Sequence, residues 1–359
     1  PGWVSVRLLA WLGAALSAAA AVLMWLNVRG FEPTLGEVAA WRMKAGAMAT
    51  SVSTLVLLAI AAAHYSSGRR GSRVGAWLLV IAITASMALP VAARGGGVAP
   101  PPRASLPVLA GALVPEEHGP RVTLIALDGA SLEHIWPRAA EGRLPNFSRV
   151  LEGGAVISLA TTRPTQPDPI WAAVATGKYP DTTGVRSSAR YHALGDGRGI
   201  DLLPDHCLSH ALVRFGLVRA APLRSGDWEA APLWNILSSE GLTSGIVRWT
   251  LTHPAPPVAG FVVSDRTFRT AWSNDEFEQA VYPREALRTV QSMGSDAADS
   301  TDDDGEPLFE AGSPEAAAYE RDRYYARIGR ALNFTHTPRL FALRYTGLDT
   351  IGHYYQRYV

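Results

Sequence analysis

Apolar positions in this chain change their spacing partway along. Residues 8–26, 45–65 and 74–93 are three charge-free runs rich in Ala, Leu and Val. At a rise of 1.5 Å per residue, about 20 helical residues reach across the roughly 30 Å hydrocarbon layer of a bilayer. Each run therefore predicts a transmembrane helix. A cleaved signal peptide would account for the first run alone, but two more follow it. The connection between the second and third runs holds Arg69, Arg70 and Arg73 and no acid, which assigns it to the cytoplasm and the chain beyond residue 94 to the outside. The earlier connection mixes Arg29, Arg42 and Lys44 with Glu32 and Glu37 and votes less clearly. His64 falls at the end of its run, an interfacial position. Residues 95–118, with three prolines in a row, read as a stiff linker.

From Arg121 onward, short β-type runs alternate with stretches of helical period. Strands are predicted at Val122–Leu127, 155–159, 244–248, Gly260–Val263 and Leu340–Tyr345, and helices at Leu132–Ala140, 169–175, Leu233–Ser239 and 314–332. Such alternation implies a mostly parallel sheet covered by helices on both faces. Ligands of these sheets bind beyond the carboxyl ends of the strands. That rule selects Asp128, directly after the first strand, and Asp349, placed in the loop after the last strand and four residues before His353. A carboxylate and an imidazole so spaced can converge on one borderline metal such as zinc. The competing role for a strand-end Asp is that of a helix cap or turn former.

A third element is the Thr/Pro loop Pro164-Thr165-Gln166-Pro167-Asp168-Pro169. Pro169 suits a helical first turn and Asp168 its cap, so Thr165 is expected near a helix N-terminus, where phosphate is favoured. A threonine hydroxyl is a poor nucleophile at neutral pH unless a divalent metal lowers its pKa.

Composition sharpens this division. Only 18% of the 359 residues are charged while 48% are hydrophobic, and the deficit lies in the first 94 residues. A formal net charge of +1 and the lack of any basic stripe with interleaved aromatics argue against a nucleic-acid surface. Lys44 and Lys178 are the only lysines, which reads as genome composition or as a preference for arginine in anion recognition. The single Cys207 excludes an internal disulfide and a cysteine metal site. The acidic stretch 296–306 has Asp302, Asp304 and Gly305 at calcium-loop offsets. Ser300 and Ala311 stand where ligands are required, so it reads as a solvated insertion.

Taken together, Val122–Leu127 with Asp128-Gly129, then Leu144-Pro145-Asn146-Phe147, then the Thr165 loop running to Thr176-Gly177-Lys178-Tyr179-Pro180, and finally Leu348-Asp349-Thr350-Ile351-Gly352-His353 resemble the alkaline phosphatase superfamily. Within it, the match is to the type I phosphodiesterase/nucleotide pyrophosphatase branch. The resemblance implies an alkaline-phosphatase-like mostly parallel α/β sheet flanked by helices, preceded here by three transmembrane helices. With the apolar runs and the linker, the chain divides into a membrane region over 1–94, a linker over 95–118 and a catalytic domain over 119–359 with a cap insertion expected at about 187–231. The resemblance further implies two divalent metal ions, zinc in most members. Asp128 and Thr165 would hold one ion, and Asp349 and His353 the other. Thr165 would be the nucleophile, passing through a phosphothreonine intermediate.

Asp168 falls where the family has an Asn that binds phosphoryl oxygens, and a carboxylate there would repel a dianion unless protonated or metal-bound. Lys178 and His253 are further candidates for substrate contact. Thr165 stands two residues farther from Gly177 than the usual nucleophile, a spacing similar to that of some phosphoethanolamine transferases, and Thr161 and Thr162 are its rivals. The Asp-His pair and last histidine of the family would fall beyond Val359, so the sequence is expected to be a piece of a longer protein. Asp205-His206 is the only Asp-His dipeptide and precedes Asp349. The expected partners are a phosphate-ester substrate and the bilayer, with the catalytic domain outside the cytoplasm. A head-group transferase acting on a lipid or glycan and a non-catalytic binding module are the alternatives. A sulfatase is disfavoured, since no Cys or Ser sits in a Cys/Ser-x-Pro-x-Arg arrangement.

Overall fold

The computed structural model describes residues 6–32, 35–65, 73–94, 119–161, 166–194, 199–200, 209–268, 274–295 and 309–355. The chain divides into two compact units. The first contains α1 (Val6–Phe31), α2 (Glu37–Tyr65) and α3 (Arg73–Arg94). Small residues let these helices approach: Ala10, Ala14, Ala61 and Ala82 are buried with Leu57, Ile60 and Leu79. Ser17 joins Thr54 at 2.9 Å and Ser86 at 3.2 Å, which satisfies hydroxyls inside an apolar bundle. Leu16, Leu55 and Trp77 face outward.

Of the three expected spans, two are present by length and composition, α1 and the Glu37–His64 part of α2. The third is not among them: α3 has 22 residues in all, and its apolar stretch among the described residues, Arg73–Leu89, is shorter than the other two.

The remaining elements in chain order are β1 (Val122–Leu127), α4 (Leu132–Ala140), α5 (Pro145–Gly153), α6 (Pro167–Thr176), α7 (Pro180–Thr183), β2 (Ala189–Ala193), β3 (Gly199–Ile200), α8 (Ser209–Arg214) and β4 (Val218–Pro222). They continue with α9 (Leu233–Ser239), β5 (Ser244–Val247), β6 (Gly260–Val263), α10 (Asn274–Glu278), β7 (Val281–Tyr282), α11 (Leu287–Ser295), α12 (Pro314–His336), β8 (Leu340–Tyr345) and α13 (Gly347–Tyr355). The main sheet has the order β1-β8-β5-β6-β7. Every pairing in it is parallel except β6 with β7, so the fold is the mixed α/β arrangement that the alternation predicts. A separate small sheet, β3-β2-β4, is antiparallel and lies within the stretch 187–231.

Alternation along the strands sends successive side chains to opposite faces. Ile246, Val262, Leu340 and Ala342 pack with Trp228, Trp234 and Trp249 on one face. Val247, Phe261, Phe341 and Leu343 meet Tyr325, Ile328 and Leu332 of α12 on the other. Ser313 caps α12 by accepting the Ala316 N–H at 3.1 Å, with Pro314 next in line at the first helical position.

Three local expectations change. Residues 155–159 join no strand among the described residues, and Ile157 and Leu159 are 76% and 86% exposed; β-propensity without a pairing partner does not make a strand. Helix α6 starts at Pro167, so Pro167 rather than Pro169 takes the first-turn position and Asp168 lies inside the helix. Strand β5 ends at Val247 because Arg248 adopts a left-handed φ of 56°.

Ile328 is fully buried between α12 and the sheet. Ile328→Ala is expected to cost about 2–5 kcal/mol, read as a lower denaturation midpoint of the solubilised chain in urea.

Candidate active site

Strand β1 delivers Asp128 to the carboxyl edge of the sheet, where the Asp128 N–H donates to the Tyr345 carbonyl at 3.0 Å and continues the ladder with β8. Gly129 turns the chain with a φ of +74°, and a Cβ placed there would stand 2.6 Å from Asp349 Cα. The exits of β1 and β8 are therefore in contact. Asp349 is not in a loop, as expected from sequence, but in the first turn of α13. One turn later comes His353, whose Nε2 lies 3.6 Å from Asp349 Oδ1. Two ligands about 2.1 Å from one tetrahedral ion are about 3.4 Å apart, so this pair fits one divalent centre. A cavity of about 600 Å³ opens beside it, with His134 and Arg138 of α4 on its polar side and Ile135, Leu144 and Phe147 on its apolar side.

Asp128 is held by two donors on the same oxygen. Arg344 donates to Oδ2 at 2.6 Å and Trp171 Nε1 at 3.0 Å. Arg344 sits in β8 with its side chain 7% exposed and its guanidinium 5.1 Å over the Trp171 ring. Beside this pair, Asp168 accepts the Thr250 hydroxyl. Asp265, just past β6, is half-buried, and its N–H donates to Thr252 Oγ1 at 3.2 Å. Burial pushes the Asp265 carboxyl up and the Asp168 carboxylate adds to this, while Arg266 and Arg344 oppose it. The ends of β1 and β6 thus bring Asp128 and Asp265 near Arg344, and Asp168 of α6 joins them through Thr250 and Asp265, at the edge where parallel sheets bind ligands.

The remaining candidates fall as follows. Thr165 lies outside the described residues, as do Thr162, the Asp205-His206 pair, Cys207 and the acidic stretch 296–306. Lys178 stands exposed beyond the C-terminal end of α6, about 15 Å along its axis from Asp168, so the helix separates these two candidates. His253 is half-buried, and its carbonyl accepts the Ser225 N–H at 2.8 Å. Its neighbour Thr252 accepts the Asp265 N–H.

Among the described residues no group of three or more His, Cys, Asp or Glu is placed to hold a metal ion. The residues present that could contribute to such a centre are the Asp349–His353 pair and, past the end of β1, Asp128. Sequence reasoning did not single out Arg344 or Thr250. The available signal was a charge inside a strand otherwise made of Leu, Phe, Ala and Tyr, since an arginine there requires an acidic partner.

A parallel sheet with carboxylates gathered at its carboxyl edge defines an α/β enzyme. The sequence agrees: residues 122–357 match the model of the type I phosphodiesterase / nucleotide pyrophosphatase family, more than half of the chain, and the chain belongs to that family. It is thus a hydrolase of phosphoric esters, in a family that is generally metal-dependent. No curated protein and no solved structure matches it.

Two outcomes follow for stability. Gly129→Ala combines left-handed strain of at least about 1 kcal/mol with a clash against Asp349, and a lower thermal midpoint is expected. For Asp265, a folded-state value above the ordinary 3.8 means that the native state holds the proton longer than the unfolded chain does. Its contribution is complete at low pH and is lost as pH rises through the folded value. Thermal midpoints measured from about pH 4 to pH 7 should therefore favour Asp265→Asn over the parent increasingly as pH rises.

Proposed function

We propose that this chain is a membrane-anchored, metal-dependent phosphodiesterase that works through a phosphothreonine on Thr165. The observation that supports this most directly is the junction of the β1 and β8 exits, where the Gly129 turn that follows Asp128 packs on the backbone of Asp349. Asp349 and His353 would hold one divalent ion, and Asp128 with Thr165 the other, with zinc as the ion of both. Bound there, such ions polarise the phosphoryl group and lower the pKa of the threonine hydroxyl. The chain's own residues do the rest. Arg344 and Trp171 fix the Asp128 carboxylate. Thr165 precedes α6 by two positions, so a phosphoryl group transferred to it would meet a helix N-terminus, whose N–H groups favour negative charge. In the first step the Thr165 oxygen bonds to phosphorus and the first alcohol leaves; water then releases the phosphate monoester and restores the hydroxyl.

The apolar helices α1 and α2, with α3 beside them in sequence, would anchor the enzyme. With the 22-residue α3 crossing as well, Arg69, Arg70 and Arg73 would lie in the cytoplasm and the α/β domain outside. The linker at 95–118 and a cap at about 187–231 complete this organisation.

The test is release of nitrophenol from bis-nitrophenyl phosphate by the purified chain with zinc. Thr165→Ala and Asp349→Ala should each lower the rate at least about a thousandfold, and chelation should abolish it reversibly. An unchanged rate in the Thr165→Ala protein refutes the nucleophile. Turnover that appears only when a lipid acceptor is supplied would favour a transferase instead.

A further inference from the structure

The helix that carries Asp349 and His353 is capped by a residue from another helix. Thr346 occupies the cap position of α13, since its carbonyl accepts the Thr350 N–H at 3.1 Å. A cap threonine normally turns its hydroxyl onto the N–H groups of its own first turn. Here that hydroxyl accepts from Arg248 at 2.5 Å instead. The helix start is instead held by Asp322 of α12, whose carboxylate accepts the Gly347 N–H at 2.9 Å and the Thr346 N–H at 3.4 Å. Arg248, at the end of β5, forms an ion pair with the same carboxylate. The side chains of Arg248 and Asp322 are 5% and 17% exposed. Arg248 also lies 4.9 Å over the Tyr325 ring, and Tyr325 is tied to Ser264 and Phe268 through its hydroxyl. Gly347 belongs to the same construction: a Cβ there would stand 2.5 Å from Asp322 Oδ2, so only glycine lets the carboxylate close on the helix end.

We infer that Asp322, oriented by Arg248, is the positioning residue for the Asp349–His353 pair. It sets the first turn of α13 against the Gly129 turn and so tunes the affinity of that pair for a divalent ion. Two anchors hold this turn, Gly129 packed on the Asp349 backbone and Asp322 on the two N–H groups preceding it. Loss of the second leaves the helix start free to shift relative to the Asp128 exit. This rests on the metal reading proposed above.

The experiment titrates zinc chloride into the whole solubilised chain against a chromophoric chelator, with circular dichroism and the thermal midpoint recorded alongside. The binding event in question is the one that Asp349→Ala removes. Asp322→Asn should weaken it about tenfold or more while secondary structure is retained. Gly347→Ala is the second arm. Alanine is the better helix former, so a role confined to stability predicts no weakening, whereas the positioning role predicts a loss of similar size, because the methyl group displaces the carboxylate. If Asp322→Asn does not fold, Gly347→Ala decides alone. Zinc affinity in Gly347→Ala equal to that of the parent overturns the inference and leaves the metal reading standing. A parent chain that binds no zinc removes the metal reading and the inference together, so the two failures are told apart.

Discussion

The parallel pairing of β1 with β8 sets where chemistry occurs in this protein, because it aligns Leu127 with Tyr345 and ends both strands at one level. All the candidate ligands in the described residues hang from that alignment. Asp128 follows one strand directly, and Asp349 follows the other by way of a short turn into α13. Gly129 then lets the two exits touch, as a residue with a side chain would not. A shift of one residue in this register would send Arg344 to the opposite face of the sheet and leave the half-buried Asp128 carboxylate without its counter-charge.

That counter-charge explains how three carboxylates coexist at the sheet edge. Like charges in a partly buried pocket repel, and the raised Asp265 carboxyl reflects desolvation first and then the neighbouring Asp168. Arg344 offsets it by bonding Asp128 directly and acting on Asp265 through space. Trp171 and Thr250 add neutral donors to Asp128 and Asp168. The site is therefore built as a balanced electrostatic cluster on strand ends, with the more exposed Asp349–His353 pair beside it on a helix. Arg344 is buried, while His353 is exposed and Asp349 half-buried.

Asp128 and His353 were legible because strand period and motif order locate the ends of β1 and β8 within a residue. The helical setting of Asp349 was not, and the reason is specific. The signal that starts α13 is the carboxylate of Asp322, 25 positions earlier, which no local pattern of capping residues reveals. The stretch 155–159 failed in the opposite direction: its residues favour a strand, but a strand exists only where a neighbour pairs with it. Lys178 was grouped with Asp168 through a shared motif, yet a ten-residue helix stands between them.

By itself the sequence determined the alternation of strands and helices, the apolar N-terminal helices, the family and the carboxylates beyond β1 and β8, because these depend on periodicity and on residues close in the chain. Tertiary structure alone decided which charges neutralise one another, where α13 begins and which glycine allows two exits to touch. Those outcomes join residues as far apart as Asp128 and Arg344, 216 positions away, and only the folded sheet brings such partners within bonding distance.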